Sequence, residues 1–268
     1  MIFNDVFSIY PSSGPPNCCS LHLIPMKSKN KILAKATLDI VRGSKQYVYD
    51  ETGVQYLDCV NGTSHVGHCH PQVVSAGHRQ MSKLVTSQGF TTDLLSRYVS
   101  ALVDTLPEPL NVCYLTNSGS EANDLALRLA TSYKGQSDIL VLEDGYHGNI
   151  GSLVDASPKV FARTNHKKKD HVHIAKIPDM YRGKYRYDDE EAGIKYAKDL
   201  EEIILLAESK GRKIGAFMFE TMFVIPGIHI PPKSYYQNVF RLVKVEIQMF
   251  ANSSHQNCAG ARRSCHSG

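Results

Sequence analysis

Three short polar stretches hold the residue types that could do chemistry, and each directly follows an apolar run. The first is Thr116-Asn117-Ser118-Gly119-Ser120-Glu121 after residues 112–115; the second is Glu143-Asp144-Gly145-Tyr146-His147-Gly148 after 139–142; the third is Glu220 after 214–219. Ser118-Gly119-Ser120 opens an amphipathic run, where a helix start leaves free N–H groups and a positive dipole end and where glycine lets an anion approach the main chain. A phosphate suits that chemistry. An ordinary N-cap made by Ser118 or Ser120, with nothing bound, has the same sequence, so the motif alone does not separate the two. Tyr146 and His147 stand between glycines in a loop, a place from which aromatic rings can stack on a flat heterocycle. A Tyr folded back on the loop beside a solvent-exposed His is the alternative.

Other clusters invite different chemistry. His65, His68 and His70 form His-x-x-His-x-His, a spacing at which imidazoles can ligate zinc, but Cys69 is the only thiolate or carboxylate donor close by in the sequence. His255, Cys258, Cys265 and His266 have the look of ligands in a stretch where chance spacing explains them as well, and no metal is expected. His166-Lys167-Lys168-Lys169-Asp170-His171 reads as a solvated loop. No Gly-x-Gly-x-x-Gly follows a strand, which disfavours a dinucleotide enzyme.

The elements that must position these residues are legible as periodicity. Residues 46–58 read as a hairpin around Glu51-Thr52-Gly53, followed by helices carrying Val73, Gly77, Met81 and Leu84, then Leu94, Leu95, Tyr98, Val99 and Leu102. Beyond Pro109, strands at 112–115, 139–142, 172–175 and 214–219 alternate with helices at 120–133 and about 192–207. Short, nearly continuous apolar runs suit strands covered on both faces, and the alternation predicts an α/β fold with a mainly parallel sheet flanked by helices. The helix from 120 carries the stripe Ala122, Leu125, Ala126, Leu129, Ala130 and Tyr133; the later one carries Leu200, Ile203, Ile204 and Ala207, with Gly211 closing it. In such sheets ligands bind outside the carboxyl ends of the strands, so the three polar stretches share one rim.

Composition agrees with small-molecule chemistry. A chain of 268 residues with 42% hydrophobic residues can bury a full core, and a formal charge of +4 spread along it gives no footprint for nucleic acid. No run approaches the roughly 18 apolar residues of a membrane span. Seven cysteines without framework spacing suggest a reducing compartment. The segments expected are a loose leader over 1–32, a hairpin and helix segment over 33–85, a cofactor-binding portion over 86–244 and an unrelated tail over 245–268.

Asn117-Ser118-Gly119-Ser120-Glu121-Ala122-Asn123-Asp124, Tyr146-His147-Gly148 and His65-Val66-Gly67-His68-Cys69-His70-Pro71 together resemble one family, the class III, fold type I pyridoxal-phosphate-dependent aminotransferases. The likeness covers about residues 39–243, including Pro178-Asp179-Met180-Tyr181-Arg182-Gly183, and is greatest to the alanine-glyoxylate aminotransferase 2-like group with its ethanolamine-phosphate and phosphohydroxylysine phospho-lyases. The resemblance implies pyridoxal 5'-phosphate as cofactor, a partial fold type I large domain, and a small amine or amino acid as substrate. It implies that Gly119 and Ser120 hold the phosphate, that Tyr146 stacks on the pyridine ring, and that Ser118, His147 and Glu220 belong to the cofactor side. It further implies a homodimer and an intracellular, mitochondrial or else cytosolic, location. The leader, with Asp5 and no Arg, is unlike a transit peptide.

The chain departs from the family in three places: near its C-terminal end, at Ile225-Pro226-Gly227, where the family has a glycine pair after the Glu220 position, and at residues 86–93. The family's Schiff-base lysine and the Asp that keeps the pyridine nitrogen protonated come late in its sequence. Here Lys244-Val245-Glu246-Ile247-Gln248 places Val245 where that Asp is expected, and the stretch from Met249 resembles nothing in the family. The expectation is a catalytically incomplete chain with no catalytic residue of its own, doubtful as a homodimer, binding cofactor or a full-length partner. Residues 86–93 also lack the lyases' Arg and His, at Gly89 and Thr92, leaving transaminase and phospho-lyase both open.

Overall fold

The computed structural model describes residues 38–107, 110–164, 166–220, 222–246 and 250–252. The expected leader over 1–32 and the His/Cys cluster from His255 to His266 lie outside the described residues. The chain divides into two compact units, Met1–Thr92 and Asp93–Gly268.

In the first unit β1 (Ile40–Ser44), β2 (Tyr47–Asp50) and β3 (Gln55–Leu57) form an antiparallel sheet in that order, followed by α1 (Pro71–Met81). The expected hairpin is β2–β3. Its turn is set by Gly53 at φ 88° and by Asp50, whose carboxylate accepts from the Thr52 and Val54 amides and from the Thr52 and Tyr56 hydroxyls. β1 was not visible in the sequence, because its Ile40 and Val41 are exposed and no inward–outward alternation marks it.

The second unit runs α2 (Asp93–Val103), α3 (Gly119–Lys134), β4 (Asp138–Leu142), α4 (Gly151–Asp155), α5 (Pro158–Thr164), β5 (Val172–Ala175), α6 (Ala192–Ser209), β6 (Ile214–Phe219), α7 (Lys233–Glu246) and β7 (Phe250–Asn252). The strands lie in the order β5-β4-β6-β7, and each pairing is parallel. Every residue of β4 and β6 is buried, as continuous apolar runs demand of strands with helices on both faces. Leu140, Leu142, Phe217 and Phe219 pack towards α6 and α7, whereas Ile139, Val141, Ala216 and Met218 pack towards α3 and α4. Gly211, at φ 73°, ends α6 as expected, its amide returning to the Glu208 carbonyl.

Two expectations are corrected. Residues 112–115 are not a strand: no neighbouring strand pairs with them among the described residues, and Val112, Tyr114 and Leu115 stay about half exposed. An apolar run becomes a strand only where a ladder partner satisfies its backbone. The stripe predicted on α3 holds at Ala126 and Ala130 but not at Tyr133, which is 54% exposed, and Asn123 is buried beside it.

At the opposite end of the sheet from the rim, Asp138 is clasped by His173 Nε2 at 2.8 Å and Arg212 Nη2 at 2.8 Å. Burial pushes its carboxyl up, but the bonds and charges of Arg212 and His173 outweigh this and hold it below the ordinary Asp range. A carboxylate with a lowered folded value contributes stability that is present above its unfolded value near 4 and lost as pH falls through the folded one. Asp138→Asn is therefore expected to cost roughly 1–3 kcal/mol at neutral pH and to flatten the acid limb of stability, measured by urea unfolding at several pH values. No helix among the described residues is long and apolar enough to cross a membrane.

Candidate functional site

The rim is assembled from the three polar stretches. Ser118 is the N-cap of α3, with φ −154° and ψ 161°, and its hydroxyl accepts from the Glu121 amide at 3.1 Å. Glu121 reaches back to accept from the Asn117 amide at 2.8 Å, so the start of the helix is fixed from both sides. The Gly119 and Ser120 amides sit in the first turn, where no acceptor exists within the helix. Gly119 is exposed and Ser120 half-buried, so both can face a ligand. The capping and anion-binding readings are thus compatible: the Ser118 hydroxyl caps through the Glu121 amide, and the next two amides have no acceptor within the helix.

The loop after β4 lies directly against this helix start. The Asn149 amide donates to Ser120 Oγ at 3.1 Å and Asn123 Nδ2 donates to the His147 carbonyl at 2.8 Å. Gly148, at φ 145°, allows the approach: a Cβ there would lie 2.7 Å from Ser120 Oγ and 3.1 Å from Ser120 Cα. The His147 amide donates to Ser157 Oγ at 2.9 Å, and that hydroxyl donates to the Leu153 carbonyl at 2.6 Å, so the loop is also stitched to α4.

Glu220 joins the loops that follow β4 and β6. It is 5% exposed; its Oε1 accepts from the Tyr146 amide at 3.2 Å and its Oε2 from the Ile225 amide at 2.9 Å. A carboxylate accepting main-chain donors makes charge-assisted bonds, so it fixes both loops more firmly than a neutral group would. Tyr146 is half-buried on the same rim. His147 is instead 2% exposed, its Nε2 lying where a Cβ on Gly145 would meet it at 3.1 Å, so the alternative of a solvent-exposed ring is corrected. Burial lowers its pKa to about 3, leaving a neutral imidazole packed within the loop.

Sequence reasoning therefore named Ser118, Gly119, Ser120, Tyr146, His147 and Glu220, and the structure brings the corresponding segments together. It missed Asn123, Ser157 and Ile225. A polar Asn on the packed side of a helix was the available signal for the first; Ile225 acts through its amide, which no side-chain type reveals.

The histidines of the first unit do not form a cluster. His68 Nε2 lies 2.6 Å from Asp58 Oδ2, and among the described residues no three His, Cys, Asp or Glu side chains converge as a metal set. A cleft of about 280 Å³ in that unit is lined by Lys45, Gln46, Asp58, Asn61, Ser64 and His68 and contains none of the three stretches.

A family model described as aminotransferase class-III matches residues 29–251. The alanine–glyoxylate aminotransferase 2-like protein of Drosophila melanogaster is 44% identical over 211 residues, which cover 77% of this chain and 43% of that protein. The ethanolamine-phosphate phospho-lyase homolog 1 of Caenorhabditis elegans is 38% identical over 210 residues, covering 75% of this chain and 45% of that protein. Among solved structures, a phospholyase from Arthrobacter in complex with phosphoethanolamine superimposes with a TM-score of 0.74 at 28% identity, covering 84% of this chain and 53% of that one. The chain thus spans less than half the length of these curated relatives.

Proposed function

Because this chain belongs to the class III aminotransferase family, whose cofactor is pyridoxal 5'-phosphate, we propose that the rim formed by residues 118–120, 146–149 and Glu220 is where that cofactor is held. The observation that carries the reading is the Gly148–Ser120 approach, which brings the aromatic loop against the anion-seeking helix start. The residues present fit the group. The Gly119 and Ser120 amides, with the dipole of a helix of 16 residues, suit a phosphate. Tyr146, half-buried on the loop that packs against this helix start, suits an aromatic ring, and Glu220 fixes the Tyr146 backbone. When bound, pyridoxal phosphate supplies an electron sink for the charge left when an amine loses a proton. The chain's own part is to bind and orient it.

The activity proposed is transamination of a small amine or amino acid. Phospho-lyase activity on a phosphorylated amine is the second reading, supported by the likeness to the Arthrobacter phospholyase and the nematode homolog. None of the residues assigned to the rim is a lysine, so the hold these residues have on the cofactor is proposed to be noncovalent.

Titration of the protein with pyridoxal phosphate and with pyridoxal, followed by absorbance, tests the phosphate assignment. The phosphate ester is expected to bind at least about tenfold tighter, since charge-assisted bonds to main-chain donors each contribute roughly 1.5–3 kcal/mol, and Tyr146→Ala is expected to weaken binding of both by about fivefold. Equal affinity for the two compounds contradicts the assignment.

A further inference from the structure

The cleft of about 280 Å³ in the first unit joins one spent carboxylate to a wall of donors. Asp58 is the only acid in its lining. The Asp58 Oδ1 accepts from the Val60 and Asn61 amides, both at 3.0 Å, and its Oδ2 accepts from Asn61 Nδ2 at 2.8 Å and from His68 Nε2 at 2.6 Å. Its side chain is 6% exposed. Burial pushes the carboxyl up, but the four bonds outweigh this and hold it below the ordinary Asp range. A carboxylate that already serves four donors has little left to offer a cation.

The rest of the lining donates. Lys45 is its cation, Gln46 and Asn61 carry amide groups and Ser64 a hydroxyl. Lys45 opens the two-residue turn between β1 and β2 at φ 53°, a region that suits glycine and strains a lysine. The backbone is held there by His68: the Lys45 amide donates to the His68 carbonyl at 3.0 Å, and the His68 amide to the Lys45 carbonyl at 2.7 Å. Gly67, at φ 84°, lets the two segments close, since a Cβ there would lie 2.9 Å from Lys45 Cα. The turn that carries Lys45 is therefore fixed to the segment that carries Ser64 and His68, and the cleft stands formed before any ligand enters.

We propose that this cleft binds a small oxyanion, a phosphate or a carboxylate, with Lys45 supplying the charge and Asn61 and Ser64 the neutral donors. A cation beside such donors, with the one carboxylate already spent, favours a ligand that accepts charge-assisted bonds. Pockets for drug-sized ligands span roughly 300–1,000 Å³, so a cleft of about 280 Å³ suits an anion of few atoms. The assignment does not rest on the cofactor reading, because the cleft belongs to the first unit and the rim to the second.

Inorganic phosphate and acetate, titrated at constant ionic strength and followed by NMR at the Ser64 and Gly67 amides, test the proposal. Saturable shifts are expected at both amides, with dissociation constants on the order of millimolar and phosphate the tighter of the two. Lys45→Gly relieves the strained φ, so the fold is retained, and is expected to weaken phosphate binding about tenfold. Unmoved amide signals from β3 report that the variant is folded. Lys83→Met removes an exposed cation outside the cleft and is expected to leave the affinity unchanged. Shifts with phosphate but not with acetate keep the site and restrict its ligand to phosphates. The absence of saturable shifts at Ser64 and Gly67 overturns the proposal, as does a phosphate affinity that survives Lys45→Gly or falls equally in Lys83→Met.

Discussion

Gly148→Ala is expected to lower the stability of the second unit by roughly 2–5 kcal/mol and to weaken pyridoxal phosphate binding by at least about tenfold. Two costs fall at one atom. The backbone sits at φ 145°, which a side chain adopts only under strain, and the new Cβ would lie 2.6 Å from Leu153 Cδ1 and 2.7 Å from Ser120 Oγ. Leu153 is fully buried and cannot withdraw without opening the core beneath α3. Relief therefore comes by lifting the loop, which breaks the bonds from the Asn149 amide to Ser120 and from Asn123 to the His147 carbonyl. Denaturant unfolding and cofactor titration read the two effects. As a control, Gly151→Ala changes neither by much, because a Cβ there meets nothing within 4 Å.

Glu220→Ala is expected to cost roughly 2–4 kcal/mol and to reduce cofactor affinity by more than Tyr146→Ala does. The carboxylate accepts from Tyr146 and Ile225, so its removal leaves two amides without their acceptor at the end of a fully buried strand. Glu220→Gln separates charge from shape. It keeps one oxygen but turns an NH2 group towards an amide N–H, and about half of the loss is expected to remain. Thermal unfolding with and without pyridoxal phosphate measures both quantities; wild-type stability in Glu220→Gln would show that the bridge carries little.

How much of this was legible in the sequence depended on where the information lay. β4 and β6 were readable because central strands bury every side chain, leaving an uninterrupted apolar run. Residues 112–115 have the same texture yet form no ladder, since a strand is a relation between two segments and the sequence shows only one. The face of α3 was read only in part for a similar reason: Ala126 and Ala130 are buried as expected, but so is the polar Asn123, whose amide serves the His147 carbonyl. β7 pairs with β6 from a stretch whose sequence gave no strand signal. At the site, side-chain chemistry marked Ser118, Tyr146 and Glu220, whereas the close approach of Gly148 to Ser120 is a contact between two segments that the sequence does not show. The main-chain amides of Ile225 and Asn149 carry no such mark.

Following the backbone amides of Gly119, Ser120 and Tyr146 by NMR during titration with pyridoxal phosphate tests the assignment of the cofactor to this rim most directly. Large, saturable shifts are expected at Gly119 and Ser120 that depend on the phosphate and are absent with pyridoxal, together with a shift at Tyr146 that occurs with either compound. Unmoved Gly119 and Ser120 amides, while the protein takes up the cofactor on surface lysines, would contradict it.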